Sequence, residues 1–240
     1  MADQAPLGPD EVRVWCARLD WPGDIGRFES SLSADEKQRA GQFRFDRDRK
    51  RFVVRRAALR AVLAESLGVP PHTLRFSYGT HGKPDLSAAC NPRRLRFNAS
   101  HSQDLAVVAL AVDRDVGVDV ERLKPLDDYE AVARRHFTEG ENRALLGVAP
   151  SERLHAFFNC WTRKEAFVKA RGEGLSLPLD AFEVSLAPDE PAGLLSCAQA
   201  GERERWSLDS FDPAPGFVGA VAAAGSGWTI GSRRWEPGPG

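Results

Sequence analysis

Cysteine is scarce in this chain, and no two cysteines stand at a spacing that suggests a shared role. The four are Cys16, Cys90, Cys160 and Cys197. None belongs to a CxxC pair or has a neighbouring histidine, which argues against a zinc site, and their scatter argues against a disulfide framework. The sequence therefore indicates a protein of a reducing compartment, and we expect a cytoplasmic one.

Long apolar runs and a large net charge are also absent. The longest apolar run, residues 105–112, is far shorter than the roughly 20 residues of a membrane-spanning helix. Residues 1–6 contain no basic segment followed by an apolar one, so we expect neither an export signal nor a membrane anchor. The net charge of −1 argues against a general nucleic-acid binder. With 240 residues and 42% hydrophobic content, the chain can build a core as one large domain or as two halves.

Positive charge is nevertheless concentrated in one segment. Residues 44–60 contain eight Arg or Lys against two Asp. On a helix these side chains spread over more than one face, so most of them are expected to form a solvated surface. One or two remain for an anionic ligand.

The first part of the chain predicts a strand followed by two helices. Alternation of apolar and polar residues predicts a strand over residues 12–19. Ser33 and Glu36 form a capping box, so a helix is expected to begin after Ser33. A second helix is predicted over residues 47–67, with Gly68 as its stop.

Extended structure is predicted next. A short strand over residues 74–78 leads into the loop 79–84, which projects Lys83 between turn-forming residues. Residues 95–98 resume extended structure and lead into Ser100 and His101. The runs 105–112 and 116–121 are predicted to be two strands of a hairpin, because residues 113–115 have hairpin length and turn chemistry.

The second half of the chain predicts helices and then strands. Helices are expected over residues 128–137, from a second capping box at Thr138 towards Leu146, and from a Ser151 cap to Gly172. Strands are expected over 181–186, 206–211, 217–223 and 228–235, followed by a loose tail at 237–240. The pattern indicates an α+β protein of two similar halves, with the site in the cleft between them.

One predicted strand carries two carboxylates on the same face. In residues 116–121 the valines alternate with Gly117, Asp119 and Glu121, so the two acidic side chains point the same way. Their spacing along the strand is roughly 6–7 Å, which allows them to share one cation.

A third carboxylate lies in the predicted helix 151–172. Glu165 stands within a stripe of aromatic and aliphatic residues, where a charge needs a positive partner. Lys169, four residues on, is the nearest candidate for that partner, in an ordinary ion pair on the helix. If Glu165 instead joins Asp119 and Glu121, the trio requires a cation. Oxygen ligands favour Mg²⁺, which points towards phosphate chemistry.

His101 admits two interpretations. It follows a serine, but no second base or acidic orienter is evident, which disfavours a Ser/His/Asp hydrolase. With Lys83 and the basic segment it suits an anion-binding site. The alternative is a structural histidine with satisfied hydrogen bonds.

With these residues assembled, the chain resembles the Sfp-type 4'-phosphopantetheinyl transferases. Three blocks carry the resemblance: residues 82–84 (GKP) with 97–102 (FNASHS), residues 117–121 (GVDVE), and residues 161–170 (WTRKEAFVKA) with 174–176 (GLS). The similarity continues weakly through residues 52–63 and 206–223. Ala40 stands where the family often has a lysine, and Arg39 is its neighbouring cation.

The resemblance implies a pair of pseudo-twofold-related α+β lobes that hold coenzyme A between them. We place the N-terminal lobe at residues 1–115 and the C-terminal lobe at 116–240. It further implies that Mg²⁺ is held by three carboxylates and that five residues bind coenzyme A. The implied metal ligands are Asp119, Glu121 and Glu165, and the implied coenzyme A ligands are Lys37, Arg51, Lys83, Ser100 and His101.

The implied reaction transfers 4'-phosphopantetheine from coenzyme A to a serine of an apo acyl or peptidyl carrier protein. Glu165 would accept the serine proton directly or through water, and Lys169 would stabilise the leaving adenosine 3',5'-bisphosphate. The carrier is expected to dock between Arg122 and Phe137, and a monomer is sufficient. Such enzymes activate polyketide, nonribosomal peptide or fatty acid synthases, many of them in secondary metabolism.

Two other functions remain open from the residues alone. The three carboxylates also permit a Mg²⁺-dependent hydrolase that cleaves a pyrophosphate with water. A coenzyme A or carrier-binding module without catalysis is the second alternative. The sequence leaves undetermined which carrier is served and whether acylated coenzyme A is accepted.

Overall fold

The computed structural model describes residues 6–79 and 82–237. Thr80 and His81 of the predicted loop, and residues 238–240 of the predicted tail, lie outside these ranges. The described residues form helices α1 to α7, which are Gly26–Glu29, Ala34–Ala40, Asp46–Leu67, Tyr129–His136, Glu139–Gly147, Arg153–Arg171 and Glu202–Arg205. None of the helices in the described ranges is both long and apolar enough to cross a membrane.

Runs of helices and runs of strands follow one another along the chain, in an α+β arrangement. In chain order, β1 to β11 are Glu11–Arg18, Phe76–Tyr78, Pro84–Leu86, Leu95–Ser102, Leu105–Val112, Val116–Arg122, Phe182–Val184, Leu194–Cys197, Trp206–Phe211, Phe217–Ala224 and Thr229–Arg234. The predicted strands and longer helices are present, with ends shifted by a few residues. The sequence analysis did not predict α1, β3, β8 or α7.

Local signals account for most helix ends. The Glu36 carboxylate accepts the Ser33 backbone N–H at 2.9 Å, as the capping box at the start of α2 predicts. Gly68 and Gly172 end α3 and α6 in the left-handed conformation, with φ of 70° and 73°. The start of α6 was predicted wrongly: its N-cap is Glu152 and not Ser151, and it makes no side-chain cap.

Two sheets form the centre of the molecule. One has the order β11-β1-β5-β4, with β11 parallel to β1 and the other pairs antiparallel. The other has the order β6-β10-β9 and is antiparallel. Val116, Val118 and Val120 of β6 are buried in one hydrophobic cluster with β1 and β5 residues. The opposite face of β6 is covered by α6.

The predicted hairpin of residues 105–121 is wrong. Strand β5 pairs with β1 on one edge and β4 on the other, so no edge remains for β6. β6 instead pairs with β10, which lies almost a hundred residues later in the chain. Asp113, with φ of 50°, lies in the short connection that carries the chain from the first sheet to the second. The carboxylate strand therefore packs across the first sheet, to which side-chain hydrogen bonds from β4 connect it without backbone strand pairing.

Candidate active site

Two serines of β4 hold the two carboxylates of β6. Ser100 Oγ donates to Asp119 Oδ1 at 2.7 Å, and Ser102 Oγ donates to Glu121 Oε2 at 2.7 Å. The two contacts repeat with the two-residue period of both strands, so the strands present matching faces to each other. Ser100 and Ser102 therefore lie beside the carboxylate pair.

Lys169 reaches the same place from α6. Its Nζ lies 2.5 Å from Asp119 Oδ1 and 3.1 Å from Ser100 Oγ. Among the described residues, the direct ion pair of Lys169 is therefore with Asp119, and not the i, i+4 pair with Glu165 that the helix alone would allow. The ammonium connects the helix to the carboxylate strand.

The three carboxylates share one poorly solvated region. Burial raises the pKa of Asp119, although the Lys169 ammonium opposes this rise. Burial also raises the pKa of Glu121, and the charge of Asp119 adds to the effect. For Glu165, burial comes first, and the charges of Asp119 and Glu121 raise its pKa further. The charges of the β6 pair therefore act on Glu165, which remains a predicted third member of the carboxylate set.

This region fits an incoming cation through its oxygen atoms. Asp119 Oδ2 is buried and has no hydrogen-bond partner within residues 6–79 and 82–237. A buried carboxylate oxygen left in this state is costly unless a cation or a donor meets it. Over the same ranges, no three His, Cys, Asp or Glu side chains are already close enough to hold a metal ion. The carboxylates would therefore have to draw together around the ion.

A basic cavity lies on one side of the carboxylates. Its volume is about 260 Å³, and its polar lining includes Arg39, Arg55, Arg56, Ser100 and His101. Desolvation, the first cause, lowers the pKa of His101 to about 4, and the charges of Arg55 and Lys169 reinforce it. His101 is therefore a neutral ring at physiological pH, and it serves as a hydrogen-bonding group and not as a cation.

Arg55 is the site residue that the sequence analysis did not identify. Its Nη1 lies 2.8 Å from His101 Nε2, and burial lowers its pKa to about 10, with help from the charges of Arg56 and Arg39. It lines both the basic cavity and an adjoining outer cavity of about 300 Å³. The one signal for it was the surplus of positive charge in residues 44–60, which does not say which arginine faces inward.

Two of the implied coenzyme A ligands, Arg51 and Lys37, do not line the basic cavity. Arg51 lines the outer cavity but forms a two-pronged ion pair with Asp20, at 2.6 and 2.8 Å. Lys37 is exposed on α2 and does not line these cavities, whereas Arg39, on the same helix, lines the basic cavity. The structure thus brings Arg39 closer to the site than Lys37.

A larger, more apolar cavity lies on the other side of the carboxylates. Its volume is about 620 Å³, and its lining includes Lys83, His136, Trp161, Glu165, Val168, Lys169 and Leu177. Asn98 and Ala99 line both this cavity and the basic one, so the two adjoin across β4. Glu165 and Lys169 therefore line a cleft that is basic at one end and apolar at the other.

Residues 122–137, predicted to bind a partner, flank this cleft. Leu123, Leu126, Tyr129 and Val132 are partly buried against the core, and Arg134 and Arg135 are exposed. Phe137, the last residue of this segment, does not offer an apolar contact to a partner. It is 3% exposed and stacks on Phe157, because the turn between α4 and α5 directs it into the core.

Comparisons with known proteins show the family to which the chain belongs. The model of the 4'-phosphopantetheinyl transferase superfamily matches residues 115–222, and that of the 4'-phosphopantetheinyl transferase N-terminal region matches residues 22–113. The chain is 39% identical over 220 residues to the 4'-phosphopantetheinyl transferase HetI of Nostoc sp., covering 91% of this chain and 90% of the relative. It is 31% identical over 201 residues to the 4'-phosphopantetheinyl transferase Sfp of Bacillus subtilis, covering 82% and 84%.

A solved structure is similar over half of the chain. The holo-(acyl-carrier-protein) synthase from Bacillus anthracis, in complex with CoA (3',5'-ADP), is 20% identical, with a TM-score of 0.38. The match covers 47% of this chain and 96% of that one. The family models and the full-length relatives together show that the chain belongs to the Sfp-type 4'-phosphopantetheinyl transferases, enzymes that transfer phosphopantetheine to carrier proteins.

Proposed function

We propose that this enzyme uses Mg²⁺ to transfer 4'-phosphopantetheine from coenzyme A to a serine of an apo acyl or peptidyl carrier protein, releasing adenosine 3',5'-bisphosphate. One observation carries the proposal. Lys169 pairs with Asp119 and, together with Glu165, lines an apolar cavity that adjoins a basic one. A substrate with a charged nucleotide end, a central pyrophosphate and a less polar arm matches this order of environments.

The basic cavity suits the adenosine bisphosphate portion of coenzyme A. Ser100 and His101 present neutral hydrogen-bonding groups, while Arg39 and Arg55 bring positive charge. A guanidinium group can donate two parallel hydrogen bonds to two oxygens of one phosphate, so arginine binds such a ligand effectively. Arg51 and Lys37, at greater distance, add charge around the entrance. The CoA (3',5'-ADP) complex of the Bacillus anthracis synthase supports this choice of ligand class.

Asp119, Glu121 and Glu165 are the residues that would hold Mg²⁺. Their donors are all oxygen, the ligand type that this ion prefers, and the unpartnered Asp119 Oδ2 gives it a place to bind. When bound, the ion neutralises pyrophosphate charge, which is the electrostatic contribution that phosphoryl transfer needs. Ser100 and Ser102 orient Asp119 and Glu121 for this task.

Glu165 and Lys169 are the residues we assign to proton transfer and charge stabilisation. The carrier serine oxygen forms a bond to the β-phosphorus, its proton passes to Glu165 directly or through water, and the bond to adenosine 3',5'-bisphosphate breaks. Glu165 lines the cleft together with Lys169, where a carboxylate can accept a proton from an entering hydroxyl group. Lys169 stabilises the negative charge that develops on the leaving phosphate.

Intact-protein mass spectrometry tests the proposal. An apo carrier domain is incubated with the enzyme, coenzyme A and Mg²⁺, alongside a carrier whose acceptor serine is replaced by alanine. We expect the mass of one phosphopantetheine to be added to the first carrier and none to the second. Carriers from polyketide, nonribosomal peptide and fatty acid synthases, compared in parallel, identify the type that is served.

Two results would contradict this function. Release of adenosine 3',5'-bisphosphate without any carrier would indicate a pyrophosphate hydrolase. Binding of coenzyme A without modification of any carrier type would indicate a binding module.

A further inference from the structure

Lys83 lies where three parts of the site meet. Lys83 immediately precedes β3 in the chain. Its Nζ donates to three backbone carbonyl oxygens. These are Val116 O at 3.1 Å, Lys169 O at 2.7 Å and Ala170 O at 3.2 Å. Val116 is the first residue of β6, the carboxylate strand, and the other two belong to the last turn of α6.

These three contacts use the full donor capacity of the lysine. An ammonium group has three N–H donors and no acceptor. The last carbonyls of a helix lack partners within the helix and carry partial negative charge, so a cation there is stabilising. The Lys83 ammonium thus satisfies the end of α6 and has no further N–H to offer to a phosphate oxygen.

The same turn of α6 bears Lys169. While the Lys169 carbonyl accepts from Lys83, the Lys169 ammonium lies 2.5 Å from Asp119 Oδ1. The helix ends at Gly172. The aliphatic part of the Lys83 side chain packs against this glycine, since a Cβ added there would lie 3.5 Å from Lys83 Cδ. Lys83 therefore restrains the backbone from which the Lys169 side chain extends.

The geometry points to Lys83 as a positioning residue that caps α6 and holds Lys169 against Asp119, and not as a direct ligand of the coenzyme A phosphates. This inference rests on the proposed transferase function, because it assigns Lys83 a role in that site. It reassigns the role that the family resemblance implies for this residue. The two roles predict different effects on ligand binding and on turnover.

The test variant is Lys83→Met, which keeps an unbranched side chain one atom shorter than lysine and removes its three N–H donors. We expect kcat to fall roughly 10- to 100-fold, the usual consequence of a catalytic group displaced by about 1 Å. The Kd of adenosine 3',5'-bisphosphate, measured by calorimetry, stays within about twofold of the wild-type value because no phosphate contact is lost. The binding stoichiometry from calorimetry gives the concentration of folded protein. The kcat of the variant is calculated with that concentration, so an unfolded fraction does not lower it.

A double-mutant cycle with Lys169→Ala shows whether Lys83 acts through Lys169. If it does, Lys83→Met reduces kcat in the wild-type background but changes it by no more than about twofold in Lys169→Ala. A loss of global stability would instead reduce kcat by the same factor in both backgrounds. Lys50→Met is the matched control, since Lys50 lies on the surface of α3 with an ion pair to Asp46, and it leaves both kcat and Kd unchanged.

Two results would overturn the inference. A rise of more than about tenfold in the Kd of the bisphosphate on Lys83→Met would make Lys83 a phosphate ligand. An equal loss of kcat with and without Lys169 would make it independent of that residue. Failure of the wild-type enzyme to modify any carrier would count against the proposed function instead, and the calorimetric measurement would still decide whether Lys83 binds the ligand.

Discussion

The side chain of Glu165 is held in an environment that opposes its charge. It is half-buried, and Asp119 and Glu121 face it, so burial and like charge together raise its pKa. In the absence of a cation this arrangement costs stability, because the folded protein binds the proton more tightly than the unfolded chain does. Such a loss of folding stability is expected at a site that binds a cation and transfers a proton.

Glu165→Gln should therefore stabilise the metal-free enzyme at neutral pH. The folded-state pKa lies above the unfolded value near 4.5, so the penalty is complete above the folded pKa and vanishes below the unfolded one. We expect thermal unfolding in a chelator to show a higher Tm for the variant at pH 8, by roughly 2–4 °C per kcal/mol of penalty removed. The difference should shrink as the pH falls towards 4.

The same variant separates catalysis from binding. Glu165→Gln is expected to lose turnover by roughly 100-fold or more while the affinity for coenzyme A changes little. Glu65→Gln, on the exposed face of α3, is the control and should leave both turnover and Tm nearly unchanged. Equal losses of turnover and coenzyme A affinity in calorimetry would make Glu165 a binding residue only.

Helix α6 and strand β6 approach each other more closely than a side chain allows. A Cβ on Gly117 would lie 2.1 Å from the Ala166 carbonyl oxygen and 2.2 Å from the Ala170 nitrogen. Both atoms belong to the helix backbone and cannot move aside without moving α6. The close approach places Lys169 of the helix within reach of Asp119 of the strand.

Gly117→Ala is expected to destabilise the protein by about 3 kcal/mol or more, because the added methyl group forces the helix away from the strand. Transferase activity should fall in the folded fraction as well, since the Lys169–Asp119 contact lengthens. Urea unfolding measures the first effect, and the carrier modification assay measures the second. Gly147→Ala is the matched control: open space surrounds that position at the end of α5, so stability should stay the same or rise slightly. An unchanged midpoint for Gly117→Ala would show that α6 packs less tightly than described.

Across the whole molecule, the two predicted halves are interlocked. Strand β11, from the second half of the chain, pairs in parallel with β1 and completes the first sheet. The proposed lobes at residues 1–115 and 116–240 therefore share the first sheet, unlike two independent domains joined by a linker. With both sides of the cleft supplied by one chain, a monomer is sufficient for the proposed reaction.

The surface beside the cleft is expected to bind the carrier. Leu126→Ala and Tyr129→Ala should each raise the KM for the carrier several-fold, since interface side chains of this kind are worth about 1 kcal/mol or more. The affinity for coenzyme A should not change, because neither residue lines the basic cavity. Steady-state kinetics with the carrier as the varied substrate measures the effect, and the Tm of each variant accounts for the contact of Tyr129 with Phe157.

Leu146→Ala supplies the control for this surface. Leu146 is exposed on α5, outside residues 122–137, and its loss should leave both KM values unchanged. An unchanged carrier KM in Leu126→Ala and Tyr129→Ala would remove the docking proposal without affecting the proposed chemistry.

Local sequence patterns predicted most of the helices and strands and the shared face of two candidate site residues. The alternation of residues 116–121 places Asp119 and Glu121 on one face of β6, and the capping box and terminal glycines predict helix ends. These features depend on neighbours within a few residues, and backbone periodicity alone expresses them. The family motifs then associated Glu165 and Lys169 with the carboxylate pair.

The contacts between distant segments were decided only by the tertiary structure. Hairpin chemistry at residues 113–115 predicted the wrong partner for β6, because local turn signals do not record that both edges of β5 are already paired. The inward direction of Arg55 and the three carbonyl contacts of Lys83 likewise depend on elements 30 or more residues apart. Pairing and side-chain burial follow from which surfaces fill the core together, and this is a property of the whole chain.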